Sequence, residues 1–420
     1  MRAIRDPLRL ARARELDDCG VVSRMRTRGC LCSCTVLHRE PHRSVRDSTR
    51  GLAHRLLQSR ARVRHRIEDC VRLSHADAEY LRTLREATEH TLRDAIGDTV
   101  DVALLDAPNQ TNVGDSLIWA GEIAYFRRLG LRIRYIADIA TFDPAALRRA
   151  MPSGVVLLHG GGNFGDLWMG HQNHRERIVK ELPDYRVVQL SQSIYFASEA
   201  RAAQADEIIG KHPDFRLLLR DSLSMERAAK QLPSLQPVFC QDMALGFDPP
   251  AQERSARGTD VLVIARRDKE AMSGLHDVGD DWGDGLSVTS TDWHSEGWLA
   301  VRYRTARRLM KLHHFLVRVR RRLGWTPTLP QWAVQRLITS LNVINITGAL
   351  RWYAAADIVV VDRLHAHVLA LLLGIDHVAL DNNYRKIGAV FDDYTGRFST
   401  ANYATDTAVA KATVQSLTAL

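Results

Sequence analysis

From about residue 100 onward, short apolar runs bounded by Gly, Asp or Pro alternate with helical stretches, and this alternation leaves few folds open. The runs fall at 101–105 (DVALL), 132–136 (RIRYI), 154–158 (GVVLL), 186–190 (RVVQL), 215–219 (FRLLL) and 236–240 (QPVFC). Apolar strands separated by helices argue for a mostly parallel sheet covered on both faces. Near 247–259 the composition turns to Pro, Gly, Ser and charge, the signature of a linker. The pattern then restarts at 260–265, 286–289, 357–361 and 376–380. The expected fold class is α/β, with two tandem Rossmann-like domains over 76–250 and 251–420, each of ordinary domain size and facing the other across a cleft. Ligands of such sheets bind beyond the carboxyl ends of the strands, so the site is expected in that cleft.

Composition narrows the function classes. The 420 residues are 45% hydrophobic and 25% charged, which excludes a fully disordered chain. No apolar run reaches the roughly 18 residues of a membrane span. Of the net charge of +9, six units come from residues 1–50, with twelve Arg against six acids. Residues 1–75 therefore read as an Arg-rich extension, poorly ordered or partly helical, with a helix candidate over 52–73. A clearer helix covers 79–96, with Leu81, Leu84, Leu92 and Ile96 on one face. The extension lacks the apolar core and cleavage site of a secretory signal. Six cysteines are too few for a disulfide scaffold of this length, and Cys30, Cys32 and Cys34 lack zinc-site spacing. Reduced thiols in a cytoplasmic protein are expected, with no metal. No basic patch interleaved with aromatics suggests a nucleic-acid partner.

An insertion over 298–325 breaks the β/α pattern. Residues 297–335 contain no Asp or Glu, and 302–323 carries eight Arg and one Lys. Leu309, Leu312, Phe315, Leu316 and Val319 can share one helix face. Two readings stand: a helix lying peripherally on the inner, anionic face of a membrane, or a solvated helix packed on its own domain.

Several strand ends carry residues suited to chemistry. After the first strand come Asn109, Asn112, Gly114 and Asp115, before a helix expected to start at Asp115 or Ser116 with Asp115 as its cap. After the third come His159, Gly160, Gly161, Gly162, Asn163, Phe164, Gly165 and Asp166, whose glycines let a backbone approach a ligand closely. Gly160, Gly162 and Gly165 fit a dinucleotide fingerprint literally, but no acid ends the next strand as that fingerprint requires. Gln189–Ile194 ends another strand with a polar tip that includes Gln192, and Gln241–Ala244 precedes the linker. Arg220 ends a strand ahead of Ser222, a helix-cap candidate; it suits a carboxylate or phosphate, or else pairs with Asp221 at the surface. Arg363, Leu364 and His365 follow the strand 357–361 at a helix N-terminus, and Lys386 follows the next strand on the same edge. Arg, His and Lys converging there suit a dianion with a titratable group beside it.

At these residues the chain resembles the polysaccharide pyruvyl transferase family, in the form of its bacterial exopolysaccharide members. The resemblance rests on N-x-G-D-x-L-I at Asn112–Ile118, G-G-G-N-F-G-D-L-W at Gly160–Trp168, H-Q-N-H-R-E at His171–Glu176 and Q-L-S-Q-S-I at Gln189–Ile194. R-D-S at Arg220–Ser222, Q-D-M-A at Gln241–Ala244, D-R-L-H at Asp362–His365 and N-Y-R-K at Asn383–Lys386 complete it, spanning about 100–390 in family order. It implies a GT-B-like fold and transfer of the pyruvyl group of phosphoenolpyruvate onto two sugar hydroxyls as a cyclic ketal, without metal or cofactor. It also implies a donor site of Arg220, Arg363, Leu364, His365 and Lys386, with Arg220, Arg363 and His365 catalytic. The acceptor, a saccharide that can be lipid-linked, would face Asn112, Gly114, Asp115, Gly161, Gly162, Asn163 and Gln192, with Asp115 or Asp166 as base candidates. A nucleotide-sugar glycosyltransferase and a non-catalytic protein would share the fold; the second would more naturally have lost the Arg, His and Lys trio.

Overall fold

The computed structural model describes residues 73–250, 258–266, 273–283, 285–293, 297–324, 328–381 and 385–419. Most of the 52–73 helix candidate, every cysteine except Cys240, and Asn383 lie outside the described residues. The first described helix, α1 (His75–Ile96), is capped by the Ser74 hydroxyl, which accepts from Asp77 N. Its expected stripe of Leu81, Leu84, Leu92 and Ile96 is buried.

A seven-stranded parallel sheet follows. Its strands are β1 (Asp101–Leu105), β2 (Arg132–Ala137), β3 (Val155–Leu158), β4 (Gly161–Gly165), β5 (Arg186–Tyr195), β6 (Phe215–Leu219) and β7 (Pro237–Phe239). Between them run α2 (Val113–Arg128), α3 (Pro144–Ala150), α4 (Met169–Glu181), α5 (Glu199–Gly210) and α6 (Ser222–Gln231). The order is β2-β1-β3-β5-β6-β7. A second, five-stranded parallel sheet has the order β12-β11-β10-β8-β9. It comprises β8 (Thr259–Ile264), β9 (Val288–Thr291), β10 (Ala356–Val361), β11 (Asp376–Leu380) and β12 (Ala401–Ala404). Its helices are α7 (Gly297–Leu323), α8 (Gln331–Tyr353), α9 (Leu364–Leu373), α10 (Lys386–Asp393) and α11 (Thr407–Thr418). The α/β class and the two Rossmann-like parallel sheets match the periodicity of the sequence.

The glycine-rich segment differs from expectation. Gly161–Gly165 is a strand rather than a ligand loop opening a helix, so the dinucleotide fingerprint has no helix N-terminus to use. β3 pairs with β5 up to Leu158↔Gln189, and β4 resumes the pairing at Gly161↔Gln192. The chain thus breaks at His159–Gly160 and rejoins the same neighbour. Gly165 has φ 132, and a Cβ there would stand 1.7 Å from the Tyr195 carbonyl oxygen, so only glycine fits.

The two sheets share a core. One apolar cluster contains Val102 and Leu104 of the first sheet, Leu262, Ile264, Val359 and Val361 of the second, and Leu117 and Ile118 of α2. Separate clusters cover the outer faces. The described residues belong to one compact unit. At the junction, α2 presses on a short 3-10 turn at Met243–Gly246, where a Cβ on Gly121 would stand 1.8 Å from the Met243 carbonyl oxygen.

The insertion is α7, which covers the basic stretch 302–323 and lies close to the expected bounds of 298–325. Leu309, Leu312 and Phe315 do share a face, but that face is exposed, with Leu316 and Val319 partly buried. The helix packs instead through Leu299, Tyr303, Ala306, Met310, His313 and Val317.

In the second sheet's core, two imidazoles form a fully buried chain. The Ile375 carbonyl can only accept, so His377 Nδ1 donates to it (2.8 Å). His377 Nε2 then accepts from His367 Nδ1 (2.8 Å), and His367 Nε2 accepts from the Thr395 hydroxyl (2.8 Å). Burial pushes both rings below their ordinary range, His377 to about 4. The unfolded chain takes up these protons near pH 6.5, so it holds more protons than the fold between about pH 6.5 and 4. Stability is full above that window and is lost as pH falls through it. Urea denaturation at pH 5.5 should therefore give a lower unfolding free energy than at pH 7.5. His377→Leu should lose about 1 kcal/mol less between the two pH values than the wild type.

Candidate functional site

Strand ends of both sheets converge on Arg220. It follows β6, is 2% exposed, and its Nε donates to Ser193 Oγ (2.9 Å) at the end of β5. Its Nη1 donates to Asp242 Oδ2 (2.7 Å), just past β7. The surface pair with Asp221 does not form; Asp221 caps α6 by accepting from Ser224 N (2.7 Å), the role expected of Ser222. Burial would raise the Asp242 carboxyl, but Arg220, and then His365, overrides it and holds the group well below the usual carboxylate range.

From the second sheet, α9 brings His365 to this pair. His365 Nε2 lies 3.3 Å from Asp242 Oδ2 and 3.4 Å from Arg220 Nη1. The other ring nitrogen faces the first sheet: a Cβ on Gly114 would stand 2.7 Å from His365 Nδ1. A Cβ on Gly162 would stand 3.1 Å from Arg220 Nη2 and 3.5 Å from Lys386 Nζ. Those two cationic nitrogens, one from each sheet, thus approach the same backbone point. Arg363, at the N-cap of α9, donates from Nη2 to Asp292 Oδ1 (2.5 Å) beyond β9 and supplies no side-chain cap.

On the other side of His365, Asn112 rather than Asp115 caps α2, which starts at Val113; Asn112 Oδ1 accepts from Gly114 N (2.9 Å). Asn112 Nδ2 donates to Asp115 Oδ2 (2.9 Å). Helix α8, unread in the sequence, buttresses this loop: Asn342 Nδ2 donates to the Pro108 carbonyl (3.0 Å) and Asn345 Nδ2 to the Gln110 carbonyl (3.0 Å). Asn163 and Gln192 form a rigid pair, Asn163 N donating to Gln192 Oε1 (3.2 Å) and Gln192 Nε2 to Asn163 Oδ1 (3.1 Å). Behind them, Arg175 is buried, and among the described residues no carboxylate is in hydrogen-bond contact with it. It donates to Asn163, Gln172 and Gln189, and burial lowers it to about 10. Asp166 is spent on structure, its two oxygens accepting from Ala197 N (2.9 Å) and Ser198 N (2.8 Å).

Three features had no assigned role from sequence alone. Asp242 and Ser193 lie within quoted motifs, but only the fold shows that they grip Arg220. Glu122, a fully buried acid in the middle of α2, pairs with His159: Nδ1 lies 2.8 Å from Oε2, and Gly160 N donates to Oε1 (2.8 Å). Burial alone would lower His159, but Glu122 raises it above its ordinary value; its Nε2 is buried without a partner among the described residues. Asp106 holds a left-handed φ of 58 and accepts from His171 Nδ1 (2.8 Å).

Two parallel sheets whose strand ends meet at a buried acid, a histidine and a group of cations define the class, an α/β protein with a polar cluster between its sheets. A family model for polysaccharide pyruvyl transferase matches residues 112–384. Pyruvyl transferase 1 of Schizosaccharomyces pombe (strain 972) is 28% identical over 291 residues, covering 67% of this chain and 66% of the relative. A Bacillus subtilis (strain 168) protein named as a candidate pyruvyl transferase, EpsO, is 28% identical over 297 residues, covering 70% and 85%. The crystal structure of a functionally uncharacterised protein from Klebsiella pneumoniae aligns over 77% of this chain and 98% of its own, at 16% identity and TM-score 0.47. The chain belongs to the polysaccharide pyruvyl transferase family, and with it to the transferase enzymes.

Removing the carboxylate from the buried pair tests its structural weight. Asp242→Asn leaves the Arg220 charge uncompensated and should lower the unfolding free energy by about 3–5 kcal/mol. Arg220→Met combined with Asp242→Leu should recover much of that loss in the same urea titration.

Proposed function

We propose that the protein transfers the pyruvyl group of phosphoenolpyruvate onto two hydroxyls of one sugar in a cell-surface or exopolysaccharide, forming a cyclic ketal and releasing phosphate. The observation that carries this reading is the position of His365, between the Asp242–Arg220 pair on one side and Gly114 on the other, with Lys386 and Arg220 Nη2 around Gly162.

Phosphoenolpyruvate carries a phosphate and a carboxylate. Arg220 Nη2 and Lys386 flank one of these anions, and Arg363 and the backbone of Leu364 at the start of α9 meet the other. The enol carbon becomes electrophilic only when the methylene is protonated. Asp242 is ionised and buried, so His365 directs its Nε2 hydrogen to that carboxylate and keeps Nδ1 as the site where a proton can change hands. Protonation of the methylene by His365 gives an oxocarbenium-like carbon. One sugar hydroxyl attacks it and gives up a proton that restores the one His365 delivered; phosphate then departs with its bonding pair, and the second hydroxyl closes the ketal, its proton leaving on the phosphate. The acceptor lies along Asn112, Gly114 and Asp115 and over Gly161, Gly162, Asn163 and Gln192. This division between the sheets fits a GT-B-like arrangement with a first-sheet acceptor domain (76–250) and a second-sheet donor domain (251–420). No metal or cofactor is invoked.

With an acceptor glycan present, His365→Ala should lower phosphate release from phosphoenolpyruvate by about 10²–10⁴-fold while keeping the wild-type melting temperature. A variant with wild-type turnover would remove His365 as the acid. Arg363→Ala should raise the donor KM by about tenfold or more. In thermal-shift titrations phosphoenolpyruvate should stabilise the protein and nucleotide sugars should not; the reverse would favour a glycosyltransferase.

A further inference from the structure

Helix α7 has two apolar faces, and the fold uses only one. Leu299, Tyr303, Ala306, Met310, His313 and Val317 pack inward. At ~100° per residue, Val301, Leu309, Leu312 and Phe315 lie on the opposite side, where they are 51–57% exposed. Trp298 at the start of α7 and Trp332 at the start of α8 add exposures of 59% and 61%. Each Trp ring is covered by an Arg one turn on, Arg302 at 4.6 Å and Arg336 at 5.1 Å. Exposed basic residues flank the stripe, Arg304, Arg308, Lys311, Arg318 and Arg322 on one side and Arg302 on the other. The helix contains no acid.

We infer that this outward stripe of α7 lies in the plane of an anionic lipid membrane. Apolar side chains enter the headgroup boundary there, Arg and Lys meet the lipid phosphates, and Trp298 marks the interface. The charge selects the occupant. A second copy would bring an equally acid-free, basic helix against this one, and the chain's own Arg-rich residues 1–50 repel it likewise. No described helix is long and apolar enough to cross a membrane, so the contact is peripheral.

The inward side of α7 touches the first sheet's strand-end loops. Arg307 Nη1 donates to the Asn109 carbonyl (2.7 Å), and His314 Nε2 lies 2.6 Å from Asp138 Oδ2, which also accepts from Asn109. Arg321 Nη2 donates to the Phe142 carbonyl (2.6 Å). The membrane face is therefore coupled to the loop that leads into Asn112 and Gly114. The lipid contact stands apart from the donor chemistry; only the benefit to a lipid-linked acceptor rests on the proposed function.

The test is flotation of the full chain with phosphatidylcholine vesicles, with and without phosphatidylglycerol. Binding should require the anionic lipid. Leu312→Glu with Phe315→Glu, and separately Arg308→Glu with Lys311→Glu, should each weaken it by about tenfold or more at unchanged melting temperature. Activity on a soluble acceptor should be unchanged in both, which separates this inference from the reading of the active site. Wild-type binding by the Leu312/Phe315 variant would overturn the inference, since the Arg-rich residues 1–50 alone would then account for it. Concentration-dependent self-association abolished by that variant would assign the stripe to a second copy and overturn it equally.

Discussion

The structure turns on one buried ion pair. Arg220 and Asp242 are almost fully excluded from water, 2.7 Å apart. Dehydrating both charges is expensive, and apolar residues of similar volume would often be as stable. The geometry of the pair suggests what it does instead. Ser193 and Asp242 take Nε and Nη1, which fixes the guanidinium plane and presents Nη2 toward Gly162. The same carboxylate oxygen reaches His365, so one acid orients both the cation proposed to bind the donor and the proposed proton source. Asp242 is itself braced, its backbone N–H donating to Tyr394 Oη (3.2 Å) and its Oδ1 accepting from Ala244 N (2.8 Å).

That arrangement requires the two sheets to be held in register. Arg220 and Asp242 come from the first sheet and His365 and Lys386 from the second, so a shift of an ångström between them would break the cluster. The shared apolar core around α2 supplies the constraint. Helix α2 starts at the Asn112 cap beside His365 and is locked further along by the Gly121 contact with Met243, next to Asp242. The packing that joins the sheets also sets the distance between acid, cation and histidine.

Much of this was legible in the sequence because parallel strands and their carboxyl ends have strong local signatures. The runs at 101–105, 215–219, 357–361 and 376–380 recur almost unchanged as β1, β6, β10 and β11. Strand ends alone placed Arg363, His365 and Lys386 on one edge and Arg220 at another strand end, and only the resemblance grouped Arg220 with them; in the fold Arg220 meets His365 through Asp242. What stayed hidden was non-local. Gly161–Gly165 reads as a loop because glycine has low strand propensity, yet pairing with β5 makes it a strand. Helix α8 went unread although its Asn342 and Asn345 hold the loop after β1 at Pro108 and Gln110. In α7 periodicity found an apolar face, but only tertiary packing shows that the core uses the opposite one. The partner of Arg220 could not be chosen from sequence either: Asp221 is adjacent in the chain, whereas Asp242 comes from the neighbouring strand.

The central claim is that a proton is delivered to the methylene of phosphoenolpyruvate beside a bound sugar. Mass spectrometry of an acceptor glycan after incubation with the enzyme and phosphoenolpyruvate in D₂O tests it directly. The expected product is a ketal whose methyl group carries a solvent deuteron, formed in step with phosphate. A ketal methyl free of deuterium, or a glycan unmodified by phosphoenolpyruvate but extended by a nucleotide sugar, would contradict it.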